Sequence, residues 1–187
     1  MFITTQALPD LRFFKLTNLN EIHHGFHYTT GLNIATKCSG GLDFIDETQI
    51  KNCLEYTKDV EYIREATFPK DTQIYREQYK YKCDKFILEE RKRFYLDEYL
   101  SKEEVLAAVQ QNSWTLDYIK EQTEEICLAA VQQNGVALRR VHHQTPKICK
   151  AAVQQNGWVL EFVKEKTADL WSIQFDAYQL GRYLPLW

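Results

Sequence analysis

The hexapeptide Ala-Ala-Val-Gln-Gln-Asn stands at 107–112, 129–134 and 151–156 of this 187-residue chain, with successive copies 22 residues apart. A fixed period of that length announces a repeat architecture before any single residue is assigned. Each period is then one supersecondary unit that cannot bury its own apolar face, so neighbouring units must pack on one another.

Aligning the copies separates the positions that repeat from those that vary. The shared frame reads Thr-x-x-Ile-Cys-x-Ala-Ala-Val-Gln-Gln-Asn-Gly, followed by x-x-Leu-x-x-Val. Ile126, Ala130 and Val131 fall at helical spacing, as do Leu116 with Ile119, Leu138 with Val141, and Leu160 with Val163, which predicts two short helices per unit. Thr123, Thr145 and Thr167 stand where an N-cap hydroxyl accepts from the first free backbone N–H groups. Pro146 then occupies the first helical position, where its missing N–H costs nothing. Ser101 with Glu104 reads as a capping box. Gly135 and Gly157 follow Asn134 and Asn156, so a left-handed closure of the helix is expected there, with Ser113 in that place in the first unit.

The paired alanines (107–108, 129–130, 151–152) let adjacent helices approach, and Val109, Val131 and Val153 fill the seam. Repeated glutamine needs a hydrogen-bonding reason. Gln110, Gln132 and Gln154, or their neighbours one place on, are expected to bond to turn backbone or to the next unit, with an amide-lined groove for a partner's backbone as the other reading. Exposed positions alternate in sign, from Asp117 and Glu121 to Arg139 and Arg140 to Glu161 and Glu165, which suits salt bridges between units. His142 and His143 occupy places held elsewhere by charged residues and are assigned to the surface, not to a site. Residues 167–187 lose the small core and gain Trp171, Phe175, Tyr178 and Trp187, as a capping unit would.

The residues that vary between copies are the candidates for binding. Trp114, Tyr118, Arg139, Arg140, Trp158 and Phe162 form the candidate protein-binding surface, because exposed aromatics and arginines dominate interface energetics.

The amino-terminal hundred residues have a different rhythm. Residues 11–17, 25–34, 61–68 and 74–88 alternate or cluster β-branched and aromatic side chains and read as strands. Residues 47–56 read as a short helix and 39–41 as a turn, while 91–101 could be a strand or a helix. His23, His24 and His27, with Cys38 further on, lack the spacing of a zinc site, and no metal or cofactor is assigned. Residues 79–85 interleave tyrosines with lysines as single-strand binders do. The plainer reading is a half-buried strand with Tyr79, Tyr81 and Cys83 on one face. His23, His24, His27, Tyr28 and Arg64 remain as a weaker alternative site, with nothing in their spacing that brings them together.

Bulk properties exclude several classes. Net charge is −3, and neither half is basic, which argues against nucleic acid as a partner. The five cysteines are scattered without a CxxC pair, which fits reduced thiols inside a cell. The first ten residues carry no apolar signal region, and no apolar run approaches the ~20 residues that span a bilayer.

Two resemblances cover most of the chain. Residues 101–170 resemble the helical AVQQNG-type repeat of giant amoebal viruses, relatives of mimivirus, also met in some amoeba-associated bacteria. The carrying segments are QTEEICLAAVQQNG (122–135), QTPKICKAAVQQNG (144–157) and VKEKT (163–167). Residues 11–88 are similar to a domain found ahead of repeat arrays in the same viruses, through FFKLTNLNEIHHGFHYTTGLN (13–33), GGLDFID (40–46), YIREATFPKD (62–71) and YKCDKFIL (81–88). That family more often carries Tyr or an apolar residue where Asp43 stands. The resemblance brings no catalytic residues with it. It implies a viral protein of the host cytoplasm or the virion and an expanded family of interaction modules, which is analogy at the level of fold.

The expectation is therefore an α+β protein: a small, mainly antiparallel sheet domain (1–100) followed by an α-solenoid of two-helix, 22-residue repeats. The units are 101–122, 123–144, 145–166 and a capping unit, 167–187. Its expected function is that of a non-enzymatic adaptor holding a host or viral protein, without membrane contact. The alternatives are a small catalytic or nucleotide-handling amino-terminal fold to which the repeats recruit substrate, and a structural virion component.

Overall fold

In the computed structural model the chain is described over residues 2, 3, 5, 8–23, 25–35, 41–53 and 59–179. Two compact units result, Met1–Phe94 and Tyr95–Trp187, so Tyr95–Leu100 belong with the helices.

The first unit is an antiparallel sheet. Its strands are β1 (Phe2–Ile3), β2 (Phe13–Thr17), β3 (Ile22–His23), β4 (Phe26–His27), β5 (Gly31–Ile34), β6 (Leu42–Asp46), β7 (Tyr62–Thr67), β8 (Ile74–Arg76), β9 (Tyr81–Cys83), β10 (Lys85–Leu88) and β11 (Lys92–Arg93). The main path runs β1-β8-β9-β6-β2-β7-β10-β5, with β11 on β7, and β3-β4 forms a separate two-stranded piece. Two segments are shared between neighbours. Leu42–Phe44 of β6 pair with β9, whereas Ile45 and Asp46 pair with β2. One residue beyond β9, β10 pairs with β7 and β5. Because β2 also pairs with β7, the ladder β2–β6–β9/β10–β7–β2 closes on itself. Two short strands, β1 and β5, remain at the ends of the path.

Alternation explains what fills this ring. Phe13, Leu42, Phe44, Ala66, Tyr81, Cys83, Phe86 and Leu88 all point to one cluster. Phe13 meets Phe44 and Tyr81 edge-on, with centroids 5.7 and 5.6 Å apart, the arrangement ring quadrupoles favour. Tyr81 also donates its hydroxyl to Asp46 Oδ2 at 3.1 Å. Gly41 has φ +82, and a Cβ there would stand 2.8 Å from the Cys83 carbonyl oxygen, so this close approach of β6 to β9 requires glycine.

Several expectations for this unit change. Segment 25–34 breaks into β4 and β5, and 74–88 into β8, β9 and β10. Tyr79 does not share a strand face with Tyr81 and Cys83; it lies in the exposed turn where Glu77 N bonds to Lys80 O at 2.8 Å. The helix expected at 47–56 is a 3-10 segment, Glu47–Asn52, capped by Asp46, and residues 54–58 fall outside the described set.

The second unit begins with a 3-10 turn (Leu96–Glu98) and contains α1 (Lys102–Gln111), α2 (Glu124–Gln133), α3 (Pro146–Gln155) and α4 (Ala168–Gln179). Between them lie the 3-10 segments Ser113–Tyr118, Gly135–Arg140 and Gly157–Phe162. The expected fold, with its α-solenoid of two-helix repeats, is thereby overturned: an antiparallel β-sheet unit is followed by several helices, and no solenoid of hairpin repeats forms. The physical reason lies in the second segment. It starts at once, because Asn112, Asn134 and Asn156 accept from the backbone N–H two residues on. It ends six residues later in extended Ile119, Val141 or Val163. Six residues do not sustain an α-helix.

The helix starts follow the capping logic. Ser101 and Glu104 form the full capping box, and Thr123 and Thr145 accept from Ile126 N and Ile148 N at 3.4 and 3.3 Å. The helix ends do not. Asn112, Asn134 and Asn156 are extended (φ −144, −151 and −149), and neither Gly135 nor Gly157 has positive φ, so no left-handed closure occurs. Gly135 is there for space: a Cβ would lie 2.8 Å from both the Ala152 carbonyl oxygen and Gln155 Oε1. Ala130, Ala152, Val109, Val131 and Val153 are fully buried where consecutive helices pack.

Candidate functional site

The variable positions of the three 3-10 segments meet one another across the second unit. The Arg140 guanidinium lies over the Trp114 ring, 5.0 Å from its centroid, and is ion-paired with Asp117. Arg139 turns the other way and lies over Phe162 at 4.9 Å. Trp114 is 44% exposed and Trp158 37% exposed, while Tyr118 and Phe162 are half-buried and both arginines are exposed. The short 3-10 segments make this possible, since the first and third turn their second residue, Trp114 or Trp158, outward, while Val136 in the middle segment is buried and all three bury a leucine. All six expected surface residues are thus at the surface in part or whole. The cation–ring contacts tie Trp114, Arg140, Arg139 and Phe162 into one row, and each is worth about 0.5–1 kcal/mol at an exposed site.

The row is held by side chains that the repeat alignment passed over. Gln122 Nε2 donates to the carbonyls of Leu116 and Arg140, both at 3.1 Å, while its Oε1 accepts from His142 N at 2.9 Å. Gln144 does the same one period later, donating to Leu138 O (3.3 Å) and Phe162 O (3.1 Å) and accepting from Lys164 N (3.0 Å). At the corresponding place in the first period stands Leu100, and Asp97 supplies the acceptors instead, to Lys120 N and Glu121 N at 3.0 and 2.9 Å. Gln110, Gln132 and Gln154 are exposed; of the motif's glutamines, Gln155 bridges periods, accepting from Gly135 N at 2.7 Å. The signal was present: the residue before each N-cap Thr is Gln in two successive periods.

The amino-terminal alternative site is not assembled as a group. His23 is on β3 and His27 on β4, where their ladder partners are Phe26 and Ile22, not each other. His27 is exposed and Tyr28 is 2% exposed in the core. His24 and Cys38 lie outside the described residues. Arg64 is buried and fully engaged: Nε and Nη2 bond to Glu21 Oε1 and Oε2 at 2.8 and 3.0 Å, and Nη1 to Thr30 Oγ1 and Glu89 O. The bond to Arg64 holds the Glu21 carboxyl below its ordinary range. That pairing is architectural, joining the β2–β3 turn to β7. Among the described residues no group of three His, Cys, Asp or Glu side chains could hold a metal ion.

His23 instead joins two residues that sequence reasoning missed. Asp43 Oδ1 lies 2.8 Å from Lys15 Nζ and 2.9 Å from His23 Nδ1. Lys15 is 2% exposed and also sits 4.5 Å above the Tyr28 ring. Burial pushes its ammonium below the usual lysine range, and Asp43 offsets this only in part. Burial works the other way on Asp43, but the hydrogen bond from His23 and the charge of Lys15 outweigh it, so its carboxyl is held well below the usual range. The signal for Lys15 was its parity, since it shares the inward face of β2 with Phe13 and Thr17. Asp43 was hidden because β6 was unassigned between the expected turn and helix.

Residues 123–166 match the model of a family described as "Domain of unknown function (DUF4116)". No curated protein and no solved structure matches the chain. No helix among the described residues is long and apolar enough to cross a membrane.

Proposed function

We propose that the protein is a non-enzymatic interaction module, an adaptor that holds a host or viral protein on the row of rings and guanidinia formed by Trp114, Arg140, Arg139 and Phe162, together with the exposed Trp158. The observation that carries this reading is the stacking of Arg140 on Trp114 and of Arg139 on Phe162 at the surface of consecutive 3-10 segments. Tryptophan and arginine are the side chains that contribute most at protein interfaces. Stacking holds the guanidinia in place before a partner arrives, which lowers the ordering cost of binding.

Affinity capture from amoebal lysate, with and without infection by a giant virus, tests it. A protein retained by the wild-type chain and lost with Trp114→Ala/Trp158→Ala is the expected result. Equal recovery by the wild-type chain and the doubly substituted one would exclude this surface.

A further inference from the structure

Against β2 and β6 the first unit contains a cavity of about 590 Å³, within the ~300–1,000 Å³ range of small-molecule sites. The Lys15–Asp43–His23 cluster lines it, and its charges balance. Lys15 is neutralised by Asp43, Glu77 at the rim pairs with Lys82 at 2.9 Å, and Asp59 and Lys80 are of opposite sign. A phosphorylated ligand would need a surplus of cations and a polyamine a surplus of carboxylates. Neither surplus is present.

What the walls offer is neutral hydrogen-bonding capacity. One oxygen is placed for it, since Thr17 Oγ1, buried without a partner, has almost no accessible surface to offer a ligand. Asp43 takes both of its bonds on Oδ1, leaving Oδ2 without a donor among the described residues. Around it stand the carboxamides of Gln49, Asn52 and Gln78, of which Gln78 Nε2 already donates to the Tyr79 hydroxyl at 2.7 Å; an amide can both donate and accept. The Gln49–Asn52 contact is 3.5 Å long, weak enough to be exchanged for a ligand. Phe14, Ile45 and the half-exposed Tyr79 supply apolar wall.

Planar carboxylate and amide groups beside an aromatic face match one chemistry in particular. Adjacent hydroxyls on a sugar ring donate and accept side by side, and the ring's C–H face packs on an aromatic surface. We propose that this cavity is a binding site for a neutral polyhydroxylated ligand, a mono- or disaccharide, whose hydroxyls donate to Asp43 Oδ2 and bond to the amides while its C–H face lies on Tyr79. This goes beyond the adaptor reading and involves none of its residues.

Titration calorimetry and saturation-transfer NMR on the full chain, with glucose, N-acetylglucosamine, maltose and cellobiose, test the site. ATP and spermidine serve as anionic and cationic controls. At least one saccharide is expected to bind saturably at one site per chain. Tyr79→Ala or Gln49→Ala, at positions outside the core, is expected to weaken that binding by about tenfold or more with an unchanged Tm. Absence of binding by all four sugars to the folded chain overturns the proposal, as does binding of ATP or spermidine in their place. Saccharide affinity unchanged in both variants would likewise place the sugar elsewhere and overturn it.

Discussion

The carboxamide of Gln144 donates to the Phe162 carbonyl at 3.1 Å from 18 positions earlier in the chain, while its oxygen accepts from Lys164 N at 3.0 Å. One side chain thus satisfies donor and acceptor groups at the point where a 3-10 segment ends and its own ladder stops. Gln144→Leu leaves those backbone groups without their partner, and a loss of about 1–3 kcal/mol is expected from the usual cost of unsatisfied groups. Gln144→Glu is expected to be no better, since a carboxylate keeps the acceptor but sets a charge against two carbonyls. Urea denaturation is the measurement, with a lower midpoint at unchanged slope as the expected result.

Gly135 and Ser113 occupy the same place in successive periods, yet only Gly135 is closed in by the Ala152 carbonyl and Gln155 Oε1. Gly135→Ala should therefore cost about 1–3 kcal/mol, as overpacking of a tight contact does. Backbone cannot retreat as a side chain can, so adding Gln155→Ala should relieve only part of the loss. A thermal melt of the two variants distinguishes this from a simple glycine effect: equal stability of Gly135→Ala and the wild type would show that the helices separate freely.

Ala130 is fully buried between packed helices, and three added carbons have no space there. Ala130→Leu is expected to destabilise by about 1–3 kcal/mol, whereas Ala107→Leu, at an exposed position of the same motif, should be near neutral. Melting both variants side by side reads the difference.

How far the sequence carried the structure depends on what each residue answers to. Thr123, Thr145 and the Ser101–Glu104 box were legible because capping is a local exchange of hydrogen bonds within four residues. The form of the second segment was not legible. Apolar spacing of three, as between Leu138 and Val141, serves a 3-10 turn as well as an α-helix, and the Asn that starts the turn immediately also reads as the end of the preceding helix. Gly135 escapes local pattern for a related reason: its neighbour across the gap is the Ala152 carbonyl, a contact that no short-range spacing encodes. In the first unit, alternation located β2 and β7 but not the shared strand β6, so Asp43 lost its place beside Lys15. The Trp114–Arg140 contact lies between these extremes, since the period set the residues in register while the stacking needed coordinates.

Lys15 and Asp43 form a second buried pair of the first unit beside Arg64 and Glu21, and the titration of Lys15 and Asp43 gives a pH signature. Asp43 has its folded pKa below the unfolded one, so its contribution to stability is present above the ordinary carboxylate value of about 3.9 and is lost as pH falls below it. Lys15 stays protonated in both states throughout that acidic range and adds no slope there. At the alkaline end its lowered folded value means that the cost of burying its charge is relieved as pH rises through that value. Asp43→Asn removes the counter-charge of a lysine that is 2% exposed, and a loss of about 3–5 kcal/mol at neutral pH is expected for breaking such a pair. The gap between the wild type and Asp43→Asn should narrow as pH falls below about 4, where acid protonates Asp43 in the unfolded wild-type chain while the folded chain keeps it ionised. The double variant Lys15→Met/Asp43→Leu removes both charges and is expected to be more stable than Asp43→Asn, because no uncompensated ammonium remains. Urea unfolding of the three chains at several pH values between 3 and 7 checks the sign: a gap that widens in acid would mean that Asp43 is protonated in the folded state and that Lys15 is held by its other neighbours, Tyr28 and His23.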